Sequence, residues 1–559
     1  MAGSARRPRA LTYSSLTSRM RELFSAHAEA DRRGMPVDEV LGEMQELRIS
    51  AARASQLREE QGMTRRALVE RTAAAAAVAA GATLLRTPRA FATTPRVVIV
   101  GAGLAGVRCA HMLWTGGSRI ASTVYEADTT HIGGRCWSLR GYFANGLIGE
   151  HGGAFINQNQ TAIRNLATGL GLKQEVVNGG DLLTGEEVYW VNGHRYTLAQ
   201  ANADWGSIGY PVFQAAYQKA PWPQRYNAST AEGRRLDGLN VVQWLDQTGI
   251  GSTSNFGQLM QTNVLSEYGG EPVTQSALNL LYLLAYNNQN SVVPLPGDDE
   301  KYHIVGGNDQ LISSMVAQLP AGTVKQGQQL VAVKDNGDGT TTCSFQSGHK
   351  TTDVVADHLV LALPFSTLRE VDLTHANLSP LKMQAIQTNG MGQNAKIHVE
   401  VSHKTWPALG YSGATYTGPD GNHVAWDDSV PLGANGGPAI LLCFPGGNQG
   451  QFTLSGAAHG KAPASDVTWF LNQVERVFPG TKAAYTGTAY EDHWSLDAWH
   501  HGAYSYWKVG QYTSFSGYEQ VQERNIHFAG EHTAPEDQGF LSGGVVSGER
   551  AATEVQHQV

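Results

Sequence analysis

Cysteine, charge and long apolar runs are all scarce in this chain. The four cysteines, Cys109, Cys136, Cys343 and Cys443, are widely spaced. No pair has metal-ligand spacing and nothing forms a disulfide framework, so neither a cysteine-built metal centre nor a stapled scaffold is expected. Cys109 falls on a helical stretch and reads as a small buried hydrophobe. Charged residues make up 16% of the chain and the formal net charge is -8. With no basic field, nucleic acid is not an expected partner. An alanine-rich apolar stretch at 72–85 is shorter than the ~20 residues a bilayer span needs. There is no internal repeat. What is abundant is glycine, 64 residues of 559, alongside 41% hydrophobic residues. That composition describes a globular chain with a large core and many turns, long enough for roughly two to four domains.

The most informative stretch spans residues 96–126. A β-branched run, Val97-Val98-Ile99-Val100, has the composition of a buried parallel strand. Gly101-Ala102-Gly103-Leu104-Ala105-Gly106 follows, then a helical run to Trp114 and a second strand ending at Glu126, with Ala127 opening a turn-rich link. Gly101 permits a tight turn, Gly103 lets a pyrophosphate approach the backbone, and Gly106 lets the helix pack on the strand. The first helical turn, with Leu104 and Ala105, offers unpaired N–H groups and a positive dipole end. Glu126 lies about twenty residues past the last glycine, where an acid accepts ribose hydroxyls. Strand, glycines, helix, strand and acid in this order predict a Rossmann-like dinucleotide-binding fold of the α/β class.

The first ninety residues read differently. Residues 1–62 are charged and helix-prone with few aromatics, a leader that lacks the apolar content for a core. Thr64-Arg65-Arg66, the apolar run, and Ala90-Phe91-Ala92 together make an export signal of the twin-arginine type over residues 63–92. Cleavage after Ala92 would place the dinucleotide strand close to the new N-terminus.

Past Glu126, two further glycine pairs stand out. Ile132-Gly133-Gly134-Arg135 lets backbone N–H groups and a guanidinium converge on phosphate. Gly152-Gly153-Ala154-Phe155 suggests backbone pressed against a flat or charged ligand. Helical patterns at 163–170, 239–245 and 276–286 alternate with loops rich in Trp, Tyr, Asn and Gln. The aromatics Trp190, Trp205, Tyr210, Trp222 and Tyr282 read as core. Strands return from residue 302, with a helix at 310–318, a hairpin turning at Asn336-Gly337-Asp338-Gly339, and a buried strand at 357–364. Alternating strands are expected at 395–401 and 439–444. A strand-to-turn segment, Ile526 to Glu531, precedes a closing helix at 543–555.

Taken together, these motifs resemble the flavin-containing amine oxidase family, which includes monoamine, polyamine and L-amino acid oxidases. The resemblance covers nearly everything from Val97 to Ala552. Its most specific part is the end, Phe528-Ala529-Gly530-Glu531-His532-Thr533, then Gly539-Phe540-Leu541-Ser542-Gly543-Gly544, then Ser547-Gly548-Glu549-Arg550. The resemblance implies that Gly530 and Glu531 face the phosphate and ribityl region of FAD. It puts Gly539, Phe540 and Leu541 near the isoalloxazine, and has Val331 hold the adenine through its backbone. Asn394-Ala395-Lys396-Ile397-His398-Val399, followed by Trp406, matches the family's strand with an active-site lysine. A buried ammonium there would stabilise charge developing on oxygen. Read alone, Lys396 would be an edge-strand surface charge. Trp494 matches the flavin-side tryptophan, and Tyr504 and Phe540 match two cage aromatics facing each other. Ala503 stands where animal monoamine oxidases carry a flavin-linked cysteine, so FAD is expected to be non-covalent.

The implied reaction oxidises an amine to an imine, with oxygen reduced to hydrogen peroxide. L-amino acid oxidases of the family place an arginine at the position of Phe155 to pair a substrate carboxylate. Phe155 therefore favours an amine without an α-carboxylate, unless Arg195, Arg225 or Arg234 supplies the charge. Asp298, Asp299 and Glu300 are candidates for polyamine recognition, or form a solvated loop. L-amino acid oxidation, another flavin oxidoreduction on the same fold, and an exported FAD-binding protein without catalysis stay open as alternatives. Expected partners are an amine and O2, without a stable membrane span; a homodimer is left open. The expected organisation is a FAD-binding domain from 93–157, 298–367 and 496–559, with an inserted α+β substrate-binding domain from 158–297 and 368–495.

Overall fold

A computed structural model describes residues 95–177, 185–292, 300–429 and 437–559. The leader and the twin-arginine segment lie outside the described residues, as do Asp298 and Asp299. The strand Val97–Val100 is buried along its whole length at the centre of a five-stranded parallel sheet. The order is Ile526–Phe528, His358–Leu361, Val97–Val100, Ser122–Tyr125, Val324–Lys325. Registers run Val97 against His358 and Ser122, through Val100 against Leu361 and Tyr125. Such a strand is apolar on both faces because both are enclosed: helices pack on one, and on the other Tyr125 stacks on Phe345 of a second sheet. Helix Leu104–Thr115 contributes Val107, Cys109 and Leu113 to that core, and the C-terminal helix, Leu541–Gln556, contributes Val545 and Ala552. The two helices approach closely because Gly548 lacks a side chain: a Cβ there would meet the Ala105 carbonyl oxygen at 2.3 Å.

A four-stranded sheet, Lys350–Ala356, Thr341–Ser347, Gln329–Asp335 and Asp372–His375, carries the expected hairpin. Its pairing jumps from Leu330–Phe345 to Ala332–Ser344, leaving Val331 as the extra residue of a β-bulge.

The third large sheet has eight strands. In order they are His459–Lys461, Tyr485–His493, Ala395–Val401, Ala439–Phe444, Val424–Asp427, Tyr411–Thr417, Glu186–Val191 and His194–Tyr196. Ala395–Val401 alternates apolar and polar residues as expected, but all seven are buried. Ala395, Ile397, Val399 and Val401 join the core formed with helix Ala464–Val477. Lys396, His398 and Glu400 face the opposite side, which is also enclosed. The surface-charge reading of Lys396 therefore fails. Its strand lies inside the sheet, and its side chain is only 3% exposed.

Helices begin where side chains cap them. Asn240 accepts the Gln243 N–H in a capping box, so the helix expected from 239 runs Val241–Gln247. Ser276 similarly opens Ala277–Leu284. All four cysteines are free and buried. Among the described residues, no helix is long and apolar enough to cross a membrane.

Candidate active site

The glycine loop after Val100 is held by the sheet. Gly101 adopts φ +101° and donates its N–H to the Tyr125 carbonyl. A Cβ at Gly106 would lie 2.0 Å from the Gly101 carbonyl oxygen, so helix and turn can meet only at glycine. Gly133 donates to the Ala102 carbonyl, bringing the second glycine pair against the first. Glu126 accepts the N–H groups of Ala102 (2.6 Å) and Asp128 (2.9 Å). Burial raises its carboxyl above the usual range, against the pull of those N–H groups. Ala127 follows it as the chain leaves the sheet. Neither helix Leu104–Thr115, entered through Gly103, nor helix Leu541–Gln556, entered through Phe540, has a side-chain cap. Because these helices pack through Gly544 and Gly548 on Leu104 and Ala105, two uncapped positive ends lie side by side.

The Gly152-Gly153 turn closes over this cradle. Gly153 donates to the Arg135 carbonyl, and a Cβ at Gly152 would clash with that oxygen at 2.0 Å. Leu541 packs on Gly153, and Asn308 donates to the Gly153 and Ala154 carbonyls. Arg135 donates to the Ala503 carbonyl (2.7 Å) and to Glu531 (2.9 Å). Glu531 also accepts from Ser505 and from the Gly539 N–H. Burial alone would raise its carboxyl, but Arg135, His532 and these donors hold it below the usual range. Gly530 precedes it at φ +124°, a conformation open to glycine. Gly134 lies against His500.

Lys396 and Trp494 grip the same turn from the eight-stranded sheet. The Lys396 Nζ donates to the carbonyls of Glu150 (2.8 Å) and Gly152 (2.6 Å). The Trp494 indole donates to the His151 carbonyl (2.9 Å). Burial lowers the Lys396 ammonium's pKa, while Asp428, Asp492 and Glu150 oppose the shift. The Tyr504 hydroxyl donates to the Ser266 carbonyl (2.7 Å), with its ring beside Gly539. Phe540 follows directly, but among the described residues no ring contact joins Tyr504 to Phe540. Phe155 stands near Trp426 (ring centroids 6.3 Å), which meets Phe444 at 5.4 Å. The three candidate arginines are placed elsewhere. Arg195 is exposed beside Glu186, Arg234 reaches the Ser229 carbonyl, and Arg225 lies beside Gly517.

The model of the flavin containing amine oxidoreductase family matches residues 104–556. The chain belongs to that family. Among its relatives, an L-amino-acid oxidase of Siganus canaliculatus is 25% identical over 483 residues, covering 83% of this chain and 86% of that one. The flavin-containing amine oxidase A of Equus caballus is 24% identical over 483 residues, covering 82% and 84%. The solved structure of cyclohexylamine oxidase from Brevibacterium oxydans IH-35A superposes with a TM-score of 0.70 at 21% identity, covering 83% of this chain and 99% of that one.

The family's cofactor, FAD, fits the cradle. The paired uncapped helix ends suit a pyrophosphate, Glu126 is held beside the glycine loop by the Ala102 N–H, and the Val331 bulge leaves backbone groups outside the regular ladder. Ala503 carries no nucleophile for a covalent flavin bond.

Sequence reasoning missed a buried histidine and aspartate chain behind Trp494. His151 Nδ1 and His459 Nδ1 both contact Asp492 Oδ1, at 2.6 and 2.7 Å. His459 Nε2 and His500 Nδ1 contact Asp497, at 3.0 and 2.7 Å. With both ring nitrogens on carboxylates, His459 is an imidazolium. Burial opposes the charge, but the two aspartates raise its pKa to about 9. Asp428 was also missed. It accepts from the Trp426 indole, and burial raises its carboxyl to about 6 against the pull of Lys396. His398 Nδ1 stands 3.8 Å from Asp492, and the i, i+2 alternation after Lys396 was the available signal for it. The rest is joined only across strands.

Proposed function

We propose that this FAD-dependent amine oxidase acts on an amine without an α-carboxylate. The observation that carries the reading is the Lys396 ammonium, buried and clamped to the Gly152 turn while the nearby wall is Phe155, Trp426 and Phe444. FAD supplies oxidation of the carbon–nitrogen bond to an imine with oxygen reduced to hydrogen peroxide, and water hydrolyses the imine. The protein's part is position, dryness and field. Apolar rings exclude water from the amine, which must reach the site neutral at the reacting nitrogen. Lys396 holds positive charge where negative charge develops on oxygen. Phe155 occupies the arginine's position, and Arg195, Arg225 and Arg234 are engaged with Glu186, Gly517 and the Ser229 carbonyl; this supports the substrate choice over L-amino acids.

A peroxide assay with amines and L-amino acids on purified yellow protein tests the reading. Turnover of amines is expected, and peroxide with L-amino acids alone would overturn the substrate class. We also propose export through the twin-arginine route, on the strength of Arg65-Arg66 and the Ala90-Phe91-Ala92 site. Arg65→Lys with Arg66→Lys should retain the protein inside an expressing bacterium; unchanged export of that variant would remove the signal.

A further inference from the structure

His398 has no part in the chemistry so far. It follows Lys396 by two residues, so both project from the same face of strand Ala395–Val401. The ring is fully buried, and neither of its nitrogens has a hydrogen-bond partner among the described residues. A buried polar ring without a bond adds no bond to the fold and costs free energy to desolvate. Its place is between two carboxylates. Nε2 stands 3.7 Å from Asp428 Oδ2, and Nδ1 stands 3.8 Å from Asp492 Oδ2, an oxygen that is itself unbonded. Both gaps are slightly longer than a hydrogen bond, and a small swing of the ring closes either one.

Each of these acids turns one oxygen to His398 and the other away. Asp428 Oδ1 accepts from the Trp426 indole at 3.1 Å. Trp426 belongs to the aromatic wall with Phe155 and Phe444, and the Lys396 Nζ lies 5.9 Å from the Phe444 ring centroid. Asp492 Oδ1 contacts His151 Nδ1 and His459 Nδ1, and His459 Nε2 reaches Asp497 Oδ2. His459 and Asp497 keep contact with solvent, their side chains 14% and 9% exposed. One line of groups therefore runs from the aromatic wall through Asp428, His398, Asp492 and His459 to residues that water touches. Their protonation suits transfer. His459, held between Asp492 and Asp497, is an imidazolium. Burial, with Lys396 and His151 adding and Asp492 opposing, lowers His398 to about 3, so its ring is neutral and carries one N–H and one lone pair. Burial raises the Asp428 carboxyl to about 6, with Glu150 adding and Lys396, Trp426 and His303 opposing.

We propose that this line is a proton relay, which brings from solvent the proton that oxygen takes up beside Lys396 on becoming hydrogen peroxide. The proposal rests on the amine-oxidase reading. Oxygen needs an electron pair and two protons. The pair and one proton come from the carbon–hydrogen bond of the amine. The second proton has to enter a site that the rings keep dry, while the amine's own N–H proton leaves to solvent with the imine. In the relay, the His459 Nδ1–H bond breaks as an O–H bond forms on Asp492. Asp492 gives its proton to His398 Nδ1 while the His398 Nε2–H passes to Asp428 Oδ2. Asp428 protonates the reduced oxygen, and water recharges His459. Each transfer breaks one N–H or O–H bond and forms one other.

The test is stopped-flow mixing of photoreduced, flavin-loaded enzyme with oxygen, following flavin absorbance. A pH-indicator dye in weak buffer reports proton uptake from the medium. Photoreduction makes the measurement independent of any amine. In the wild type, proton uptake should keep pace with reoxidation, and both should slow as pH rises through about 9, where His459 gives up its charge. His398→Gln cannot exchange an N–H for a lone pair, and His459→Gln removes the proton source. Both should take up the proton and reoxidise about 100-fold more slowly, with no fall near that pH. His398→Leu serves if the glutamine variant misfolds, and should melt no lower than the wild type, since the ring has no hydrogen bond to lose. Reduction by an amine without oxygen is the comparison. Equal slowing of reduction and reoxidation would show a structural role and overturn the relay. So would a fall near pH 9 that persists in both variants, or reoxidation within about threefold of wild type in them. If reoxidation behaves as expected while no amine reduces the enzyme, the amine-oxidase reading goes and the relay stays.

Discussion

Lys396→Met removes one charge from the site while nearly keeping the volume. The structure lets its two consequences be separated. For stability, the ammonium gives up two short bonds, to the Glu150 and Gly152 carbonyls, each worth roughly 1.5–3 kcal/mol as a bond to a charged group. Against that, an ammonium no longer has to be buried, a cost of several kcal/mol. The two nearly cancel, and the variant should remain folded with a loss within about 2 kcal/mol. For the reaction with oxygen there is no such cancellation. A unit charge about 5 Å from a developing anion, at an effective dielectric near 20, is worth about 3 kcal/mol, or roughly a hundredfold in rate. The assay is anaerobic reduction by the amine, then stopped-flow mixing with oxygen while following flavin absorbance, with a thermal melt as control. We expect FAD retained, a near-normal melt and reoxidation slowed about a hundredfold. Reoxidation within threefold of wild type in a flavin-loaded, folded variant would refute the role assigned to Lys396.

Three further outcomes follow from the packing. Gly106→Ala puts a Cβ 2.0 Å from the Gly101 carbonyl oxygen, a backbone atom that cannot yield; overpacking should cost about 1–3 kcal/mol and displace the phosphate-facing turn. Flavin content after purification should drop sharply, and normal loading would show that the turn has slack. Glu531→Ala strips the acceptor from Arg135, Ser505 and Gly539 and leaves a guanidinium unpaired, a loss of about 3–5 kcal/mol that a denaturant titration would read. His459 and His303 both have pKa values raised to about 9 from the ordinary 6.5, each held between two carboxylates despite burial. Their stabilisation is full below pH 6.5 and is lost as pH rises towards 9. The melting temperature should therefore fall across that window, with a shallower fall in His459→Gln. An unchanged slope would mean that His459 is not charged.

The cradle was legible in the sequence because its parts are local. Gly101, Gly103, Gly106 and Glu126 sit at spacings fixed by two strands, one turn and one helix, and the folded chain holds them on those elements. The closing helix was legible as a helix-forming run at 543–555 and is found at Leu541–Gln556; that Gly544 and Gly548 let it meet the first helix is visible only in the structure. Lys396 was harder. Its alternating neighbours fit a strand with one wet face, and only the sheet order, with Tyr485–His493 on one side and Ala439–Phe444 on the other, encloses both faces. Period-two alternation reports that two faces differ, not that either is exposed.

The histidine cluster lay beyond any local signal. Asp492 reaches His151 across 341 residues, joined only by the pairing of the eight-stranded sheet against the glycine turn. By itself the sequence determined the dinucleotide turn and the strand and helix grammar around it, since each depends on backbone geometry within a few tens of residues. The tertiary structure alone decided which charges are buried and beside what, because desolvation and field depend on everything folded around a group and on nothing in its immediate chain neighbours.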